Sequence, residues 1–343
     1  MFTSHPLYVE DINNILSIKD IENLSGKSFL ITGATGMIGV VLIDALMALS
    51  DIKVYAVGRS KERAFDRLRN HFSNPNFVFI QQDVTIPFCM DLTVDYIIPL
   101  ASNTHPLGYS KYPIETMLIN MQGAKNALDL ATMCGATVIY PSSVEIYGDA
   151  VRNEGFDEDS NGNLNLSTSR ACYTESKRAC EALCQSYAAE RGTKVKIIRL
   201  SRVFGPTMLE NDTKASSQFI KRAVASEDIV LKSAGSQYFS YVYVADAIIG
   251  LFCVLLHGEN SKSYNISSEK TNIHLKDLAK ICAKYTNKQV IFNIPTDEEK
   301  KGYSIVENAI LDNTRIKSIG YIPIYSIEEA VDRTIMILKD LLN

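Results

Sequence analysis

An apolar run, Ser28–Thr32, ends directly on Gly33-Ala-Thr-Gly36-Met-Ile-Gly39, and a stretch with helical apolar spacing opens inside that segment. Three glycines at this spacing do separate work in a strand-to-helix turn. Gly33 permits the tight turn, Gly36 lets a bulky anion approach the backbone, and Gly39 lets the helix pack closely on the strand. The backbone N–H groups of Thr35, Met37 and Ile38 then sit at the positive end of a helix, an arrangement that binds a pyrophosphate. The plain alternative is an ordinary βα turn, and the rest of the chain decides between the two.

Short apolar runs alternate with longer segments of helical spacing over the first two hundred residues. The runs are Ser28–Thr32, Lys53–Val57, Phe77–Ile80, Asp95–Leu100, Thr137–Tyr140 and Lys194–Arg199. Helices are predicted at Gly39–Ala48, Lys61–His71, Pro113–Met133 and Tyr173–Arg191. Strands separated by helices imply a parallel sheet covered on both faces. The predicted fold is α/β: a Rossmann-type doubly wound parallel sheet with a smaller C-terminal α/β substrate lobe. Residues 1–205 form the dinucleotide-binding domain, with 240–260 returning to it, and 206–239 with 261–343 form the lobe. In the lobe, helices are expected at Lys214–Ala225, Leu275–Tyr285 and Ser326–Leu342, with a short strand at Ile229–Leu231. Asn153–Ser169 is polar and rich in Asn and Gly, hence a surface loop leading to Tyr173.

Bulk properties exclude several classes of partner. The net charge of −4 favours neither nucleic acid nor an anionic membrane. The odd count of 7 cysteines contains no Cys-x-x-Cys pair, and none of the 5 histidines pairs with a cysteine at zinc spacing, so no metal site is expected. Cys180 and Cys184 read as core thiols in a reducing compartment. Residues 1–24 carry four acidic groups and no uninterrupted apolar run, unlike a signal peptide. The expected location is cytoplasmic.

The second strand ends on Val57-Gly58-Arg59, where an NAD site usually offers a carboxylate to the ribose 2′-hydroxyl. Gly58 removes that group, and Arg59 offers a guanidinium suited to a 2′-phosphate, so NADP is favoured over NAD. Asp83, after the third strand, is a candidate contact for the adenine amino group or, equally, a turn cap.

Tyr173-Thr-Glu-Ser-Lys177 is the chain's one Tyr-x-x-x-Lys. On a helix the pair lies one turn apart on one face. A lysine there favours the phenolate, which makes the tyrosine a base for a sugar hydroxyl. Pro141-Ser142-Ser143 follows the fifth strand and would reach the same cleft.

With these pieces in place, the chain resembles the extended short-chain dehydrogenases/reductases of the nucleotide-sugar epimerase/dehydratase branch, from about Lys27 to Ile337. The matching pieces are Gly33–Gly39, Leu100-Ala101-Ser102, Tyr112-Pro113 through Asn120, Ser142-Ser143-Val144-Glu145-Ile146-Tyr147-Gly148, Tyr173/Lys177, Phe204-Gly205-Pro206 and Tyr243-Val244-Ala245-Asp246. The segment Arg170–Arg178 is most similar to the UDP-glucuronate decarboxylase subgroup. The resemblance implies a homodimer through the helices at Pro113–Met133 and Tyr173–Arg191. It implies cofactor contacts from Asp83, Val84, Leu100, Ala101, Ser102, Asn120, Tyr173 and Lys177. Ser143 would bind the reacting oxygen, Tyr173 would take its proton, and Lys177 would hold the nicotinamide ribose. Asn103, Ser143, Glu145 and Arg202 would meet a nucleotide-linked sugar.

Several positions depart from that pattern. Val144 stands where 4,6-dehydratases place a proton-donating aspartate, which disfavours 4,6-dehydration. Phe239 stands where relatives carry an arginine on the diphosphate, and a second arginine is missing before Asp312. Arg202 replaces a usual asparagine and is the compensating cation. Glu145 is either a second acid–base residue or a buried structural carboxylate. Three readings remain open: an internal redox cycle on a nucleotide sugar (epimerisation or decarboxylation), a net NADPH-dependent reductase, and a non-enzymatic dinucleotide sensor.

Overall fold

Strands β1 (Ser28–Thr32), β2 (Lys53–Gly58), β3 (Phe77–Gln81), β4 (Tyr96–Pro99), β5 (Thr137–Ser143) and β6 (Lys194–Leu200) lie side by side in the order 3-2-1-4-5-6. All their pairings are parallel, with Phe29 of β1 opposite Val54 of β2 and Tyr96 of β4. The computed structural model describes residues 2–88, 91–104, 106–148, 155–294 and 306–342. Parallel pairing requires crossover helices, and these are α2 (Met37–Met47), α3 (Lys61–Leu68), α5 (Pro113–Cys134) and α6 (Ala171–Arg191). Local chemistry sets their ends. Pro113 begins α5 at a position needing no N–H donor, and Gly135 and Gly192, both left-handed, close α5 and α6. The sheet reverses direction of winding between β1 and β4, the place where ligands bind in such folds.

β5 runs three residues further than its apolar run predicts, so Ser142 and Ser143 belong to the strand. Beyond β6 come β7 (Arg202–Phe204), α7 (Ala215–Val224), β8 (Ile229–Leu231), β9 (Tyr238–Tyr243), α8 (Val244–His257) and β10 (Ser263–Ile266). The helix α8 is apolar nearly all round because it is enclosed by α1 (Pro6–Leu16), α2 and β6. β10 then pairs parallel with β6 as a seventh sheet strand, so residues 263–266, assigned by sequence to the lobe, sit in the main sheet. The lobe holds two small sheets. β9 pairs with β7, β11 (Asn272–His274) and β13 (Asn308–Ala309), while β8 pairs with β12 (Val290–Phe292). Of the predicted loop Asn153–Ser169, residues 153 and 154 lie outside the described residues, and Phe156 forms a bridge to Leu311.

The N-terminal segment has a structural part that the sequence reading did not assign. Pro6 starts α1, His5 caps it through Nδ1, and Tyr8, Ile12 and Ile15 bury its inner face. Asp11 of α1 accepts from Arg333 of the C-terminal helix Ile327–Leu342 and from the hydroxyls of Tyr243 and Tyr325. One buried carboxylate thereby ties the two chain ends to β9. Cys180 and Cys184 are fully buried and free, as core thiols are. Among the described residues, no helix is long and apolar enough to cross a membrane.

Candidate active site

The glycine turn is built by sterics. Gly33 has φ +63°, and a Cβ there would lie 2.8 Å from the Ala101 nitrogen and the Leu100 carbonyl carbon. A Cβ at Gly39 would lie 2.6 Å from the Gly33 oxygen. Only glycine fits both positions, and the same closeness brings Leu100-Ala101-Ser102 against the turn. The Ala101 N–H donates to Thr32 Oγ1 at 3.1 Å, fixing that approach. Gly36 caps α2 without any side-chain acceptor, so the N–H groups of its first turn, Met37 and Ile38 among them, have no internal cap. Thr207 braces this end by donating its hydroxyl to the Met37 carbonyl at 2.8 Å. The buried Ser102 Oγ and Asn120 Oδ1 find no partner among the described residues. A cradle too tight for any Cβ, an uncapped helix end and two orphaned polar atoms fit a dinucleotide.

Around the adenosine end, Arg59 is exposed and Asp83 is occupied. The Thr85 amide and hydroxyl both donate to Asp83 Oδ1, at 2.9 and 2.8 Å, and these bonds first, with Arg59 nearby last, hold the carboxyl below its ordinary range. Asp83 is therefore a turn cap here. Val84 packs under Gly123, and its carbonyl accepts from Asn126.

Tyr173 and Lys177 stand one turn apart on α6, both buried. The Tyr173 hydroxyl lies near Ser143 at the end of β5 and is influenced by it. The expectation that Lys177 lowers the Tyr173 pKa does not hold. Burial raises that pKa well above the ordinary phenol value, the nearby Ser143 hydroxyl pulls it down, and Glu145 and Tyr109 push it up. Lys177 is itself pushed down to about 8 by burial, and its Nζ donates to the Pro141 carbonyl at 2.8 Å. Desolvation outweighs the charge–charge effect because both groups lie inside the protein. Behind them Asn120 Nδ2 donates to Ser176 Oγ, which donates to the Tyr173 carbonyl, so α5 holds α6 at the reacting turn.

Glu145 follows Ser143 by two residues, a spacing that would put both on one side of an extended chain, but the segment is not extended. Val144–Tyr147 is a single 3-10 turn capped by Ser143, whose Oγ accepts the Glu145 N–H at 3.2 Å. The cap, not strand alternation, brings Glu145 beside Ser143. Its carboxylate lies 3.6 Å from Arg202 Nη2, and the Arg202 guanidinium lies 3.7 Å from the centre of the Phe239 ring. Asn103 is spent on Thr116, donating to its hydroxyl at 3.1 Å.

Two residues that sequence reading missed complete the cluster. Tyr109, on the short helix α4 (Pro106–Lys111), stacks on Tyr173, and Arg170 at the head of α6 lies over the other tyrosine, Tyr109, at 5.6 Å. Burial, then the Glu145 charge, raise Tyr109 to about 12, against the pull of Arg170 and Arg202. Ser143, Tyr173 and Tyr109 are buried and Glu145 and Arg202 half-buried beside them, and chemically the group offers hydroxyls for an oxygen, a carboxylate and a guanidinium.

Comparison with known proteins places the chain in a family. The model of the NAD dependent epimerase/dehydratase family matches residues 29–267. UDP-glucuronic acid decarboxylase 2 of Arabidopsis thaliana is 33% identical over 247 residues, covering 71% of this chain but only 54% of that protein's length. UDP-glucuronic acid decarboxylase 1 of Danio rerio is 30% identical over 325 residues, 93% of this chain and 74% of that protein. A solved UDP-glucuronic acid 4-epimerase from Bacillus cereus, in complex with UDP-glucuronic acid and NAD, superposes with a TM-score of 0.80 at 20% identity, covering 92% of this chain and 99% of that one. The glycine cradle, the Ser143/Tyr173/Lys177 set and these likenesses make the chain a member of the NAD dependent epimerase/dehydratase family, the nucleotide-sugar branch of the extended short-chain dehydrogenases/reductases.

Proposed function

We propose that this enzyme runs an internal redox cycle on a nucleotide sugar, ending in epimerisation or decarboxylation, with the cofactor unchanged overall. The observation that carries this is the placement of Glu145. It is held beside Ser143 by a backbone hydrogen bond, and its charge is felt by both Tyr173 and Tyr109. A simple reductase needs Ser143, Tyr173 and Lys177 and has no use for a further carboxylate there.

A bound nicotinamide dinucleotide supplies the hydride acceptor for the first half and the donor for the second. Gly33, Thr35, Gly36, Met37, Ile38 and Gly39 would hold its pyrophosphate, Leu100–Ser102 and Asn120 would line it, and Lys177 would hold the ribose. Ser143 hydrogen-bonds the sugar oxygen and Tyr173 takes its proton. Burial disfavours the phenolate that takes this proton, and Tyr173 enters the second half as the phenol that returns it. Glu145 acts at the carbon next to the new ketone, as base in an epimerisation or beside a departing carboxylate. The UDP-glucuronic acid decarboxylases among the relatives make UDP-glucuronic acid the first substrate to try. Arg59 with Gly58 supports NADP for this chain, although the Bacillus cereus neighbour was solved with NAD.

The test follows product and the absorbance of reduced cofactor together. A cycle gives product with catalytic cofactor, no lasting absorbance change, and a large loss on Glu145→Gln. Tyr173→Phe should cut turnover by roughly two or more orders of magnitude while leaving dinucleotide affinity intact. One NADPH consumed per product, with Glu145→Gln still active, gives the protein to the reductase reading that Arg59 favours.

A further inference from the structure

Arg202 lies closer to an aromatic ring than the other cations near the site, 3.7 Å from the Phe239 centre against 5.6 Å for Arg170 over Tyr109. β7 carries it alongside β9, opposite Tyr241, and its guanidinium lies on the Phe239 ring. A stacked guanidinium keeps its N–H groups directed sideways, toward acceptors in its own plane. Toward Glu145 it makes only an ion pair, at 3.6 Å, too long for a hydrogen bond. Its Nη1 is buried and finds no partner among the described residues. The donors of Arg202 therefore exceed what Glu145 satisfies, and the contact it does make is a loose one.

The surroundings of Glu145 give that loose contact a consequence. Arg202 pairs with it from β7 and Ser143 caps it from its own segment, while Tyr109 of α4 and Tyr173 of α6 lie near enough to feel its charge, with Arg170 over Tyr109. Arg202 is the one cation in direct ion-pair range of it among the described residues. An oxyanion arriving at that guanidinium competes with Glu145 for the same charge.

We infer that Arg202, held flat by Phe239, reads an oxyanion of the substrate, with Glu145 as its resting counter-ion that the bound oxyanion displaces. Substrate binding and the freeing of the second acid–base group are then one event. Phe239 is a positioning residue, acting through Arg202. The acid–base role of the freed Glu145 rests on the reading in the preceding section; the competition for Arg202 does not.

The oxyanion is a phosphate of the nucleotide or a carboxylate on the sugar, and the ligands separate these sources. Affinities of UDP, UDP-glucose and UDP-glucuronic acid are measured by calorimetry in a Tyr173→Phe background, which prevents turnover. Arg202→Ala should weaken binding roughly tenfold or more, as expected for a lost charge-assisted contact. Loss for all three ligands identifies a phosphate, and loss for UDP-glucuronic acid alone identifies a carboxylate. Arg202→Lys, which keeps the charge without the plane, should not restore affinity. Phe239→Leu should weaken binding several-fold and Phe239→Tyr should not. The decisive arm is Glu145→Gln. It should tighten binding several-fold when Arg202 is present and do nothing in the Arg202→Ala protein. Equal tightening in both would mean simple repulsion between Glu145 and the ligand, and the inference fails. It fails equally if Arg202→Ala, folded by circular dichroism, binds all three ligands like the parent. Turnover is not read, so a confirmed redox cycle beside unchanged affinities would overturn this inference and leave the proposed function standing.

Discussion

Tyr109 and Tyr173 lie ring on ring, with centroids 5.5 Å apart and planes 23° from parallel. Among the described residues Cys172 completes their apolar cluster, so the Tyr109 ring is a wall of the space around the Tyr173 ring. An aromatic pair of this kind contributes about 0.5–1.5 kcal/mol beyond burial, a factor of roughly 2–10 in rate if it is felt at the transition state. Tyr109→Leu should lower kcat by that factor with little change in dinucleotide affinity. Tyr109→Phe keeps the ring and loses only the 3.4 Å contact from Arg170, so it should stay near the parent rate. Equal kcat for both variants and the parent would show that the stack is incidental.

We propose that Lys177 links activity to pH. Burial pushes its pKa down to about 8, so the cation that donates to Pro141 is lost as pH rises through that value. Dinucleotide affinity should fall on the basic side of about 8, because the charge offered to the cofactor disappears. Stability moves the other way. An unfolded lysine titrates near about 10.4, so between about 8 and 10.4 the unfolded chain binds more protons than the folded one, and stability rises with pH across that window. Thermal unfolding of the parent and of Lys177→Met from pH 7 to 10 checks this: the difference between their melting temperatures should narrow in the parent's favour toward pH 10. A difference independent of pH would contradict it.

How much of this could be read from the sequence depended on whether the cause was local. The glycine turn was legible because Gly33 and Gly39 meet backbone at 2.8 and 2.6 Å, a steric demand that only glycine answers. Tyr173 and Lys177 were legible because one helical turn separates them. Glu145 was placed correctly next to Ser143 for the wrong reason, since a capped 3-10 turn replaces the expected extended chain. The titration of Tyr173 was misread because depth of burial is not written in a four-residue spacing. Tyr109 on Tyr173, Arg202 on Phe239 and Asp11 on Arg333 join segments far apart in the chain, and no periodicity announces such contacts. Phe239 was noticed only as a missing arginine; its use as a platform needed β7 and β9 side by side.

We propose that cofactor choice turns on Gly58 and Arg59. A Cβ at Gly58 would meet the Phe79 ring at 3.4 Å, so a side chain can start from this position. NADP(H) should bind more tightly than NAD(H) by roughly tenfold or more, the value of a charge-assisted bond to the 2′-phosphate. Arg59→Ala should erase that preference and Gly58→Asp should reverse it. Titration of both dinucleotides, followed by fluorescence of the reduced forms, decides the matter; equal affinities in the parent would return Arg59 to the status of a solvated surface residue.

The outer face of α5 predicts a dimer. Ile114, Met117, Leu118 and Met121 recur at helical spacing and are 69, 37, 45 and 40% exposed, an apolar stripe where a surface helix ordinarily carries polar groups. Ala179, Ala182 and Ser186 are exposed on α6, which packs against α5. Small side chains there let another helix approach closely, and a two-fold axis would lay one copy's stripe against the other's small residues. The parent should therefore run as a dimer in light scattering. Leu118→Glu with Met121→Glu places carboxylates at the centre of that contact, and burying an unpaired charge costs roughly 3–5 kcal/mol, more than a hundredfold in the dissociation constant by about 1.4 kcal/mol per decade. The double variant should be monomeric and still folded, with an unchanged circular dichroism spectrum. Neither residue touches Ser143, Tyr173 or Glu145 in sequence or by any hydrogen bond described above, so the monomer's ligand affinities separate assembly from the chemistry of the site. A parent protein that is monomeric at working concentrations, or a variant that remains a dimer, removes α5 as the interface.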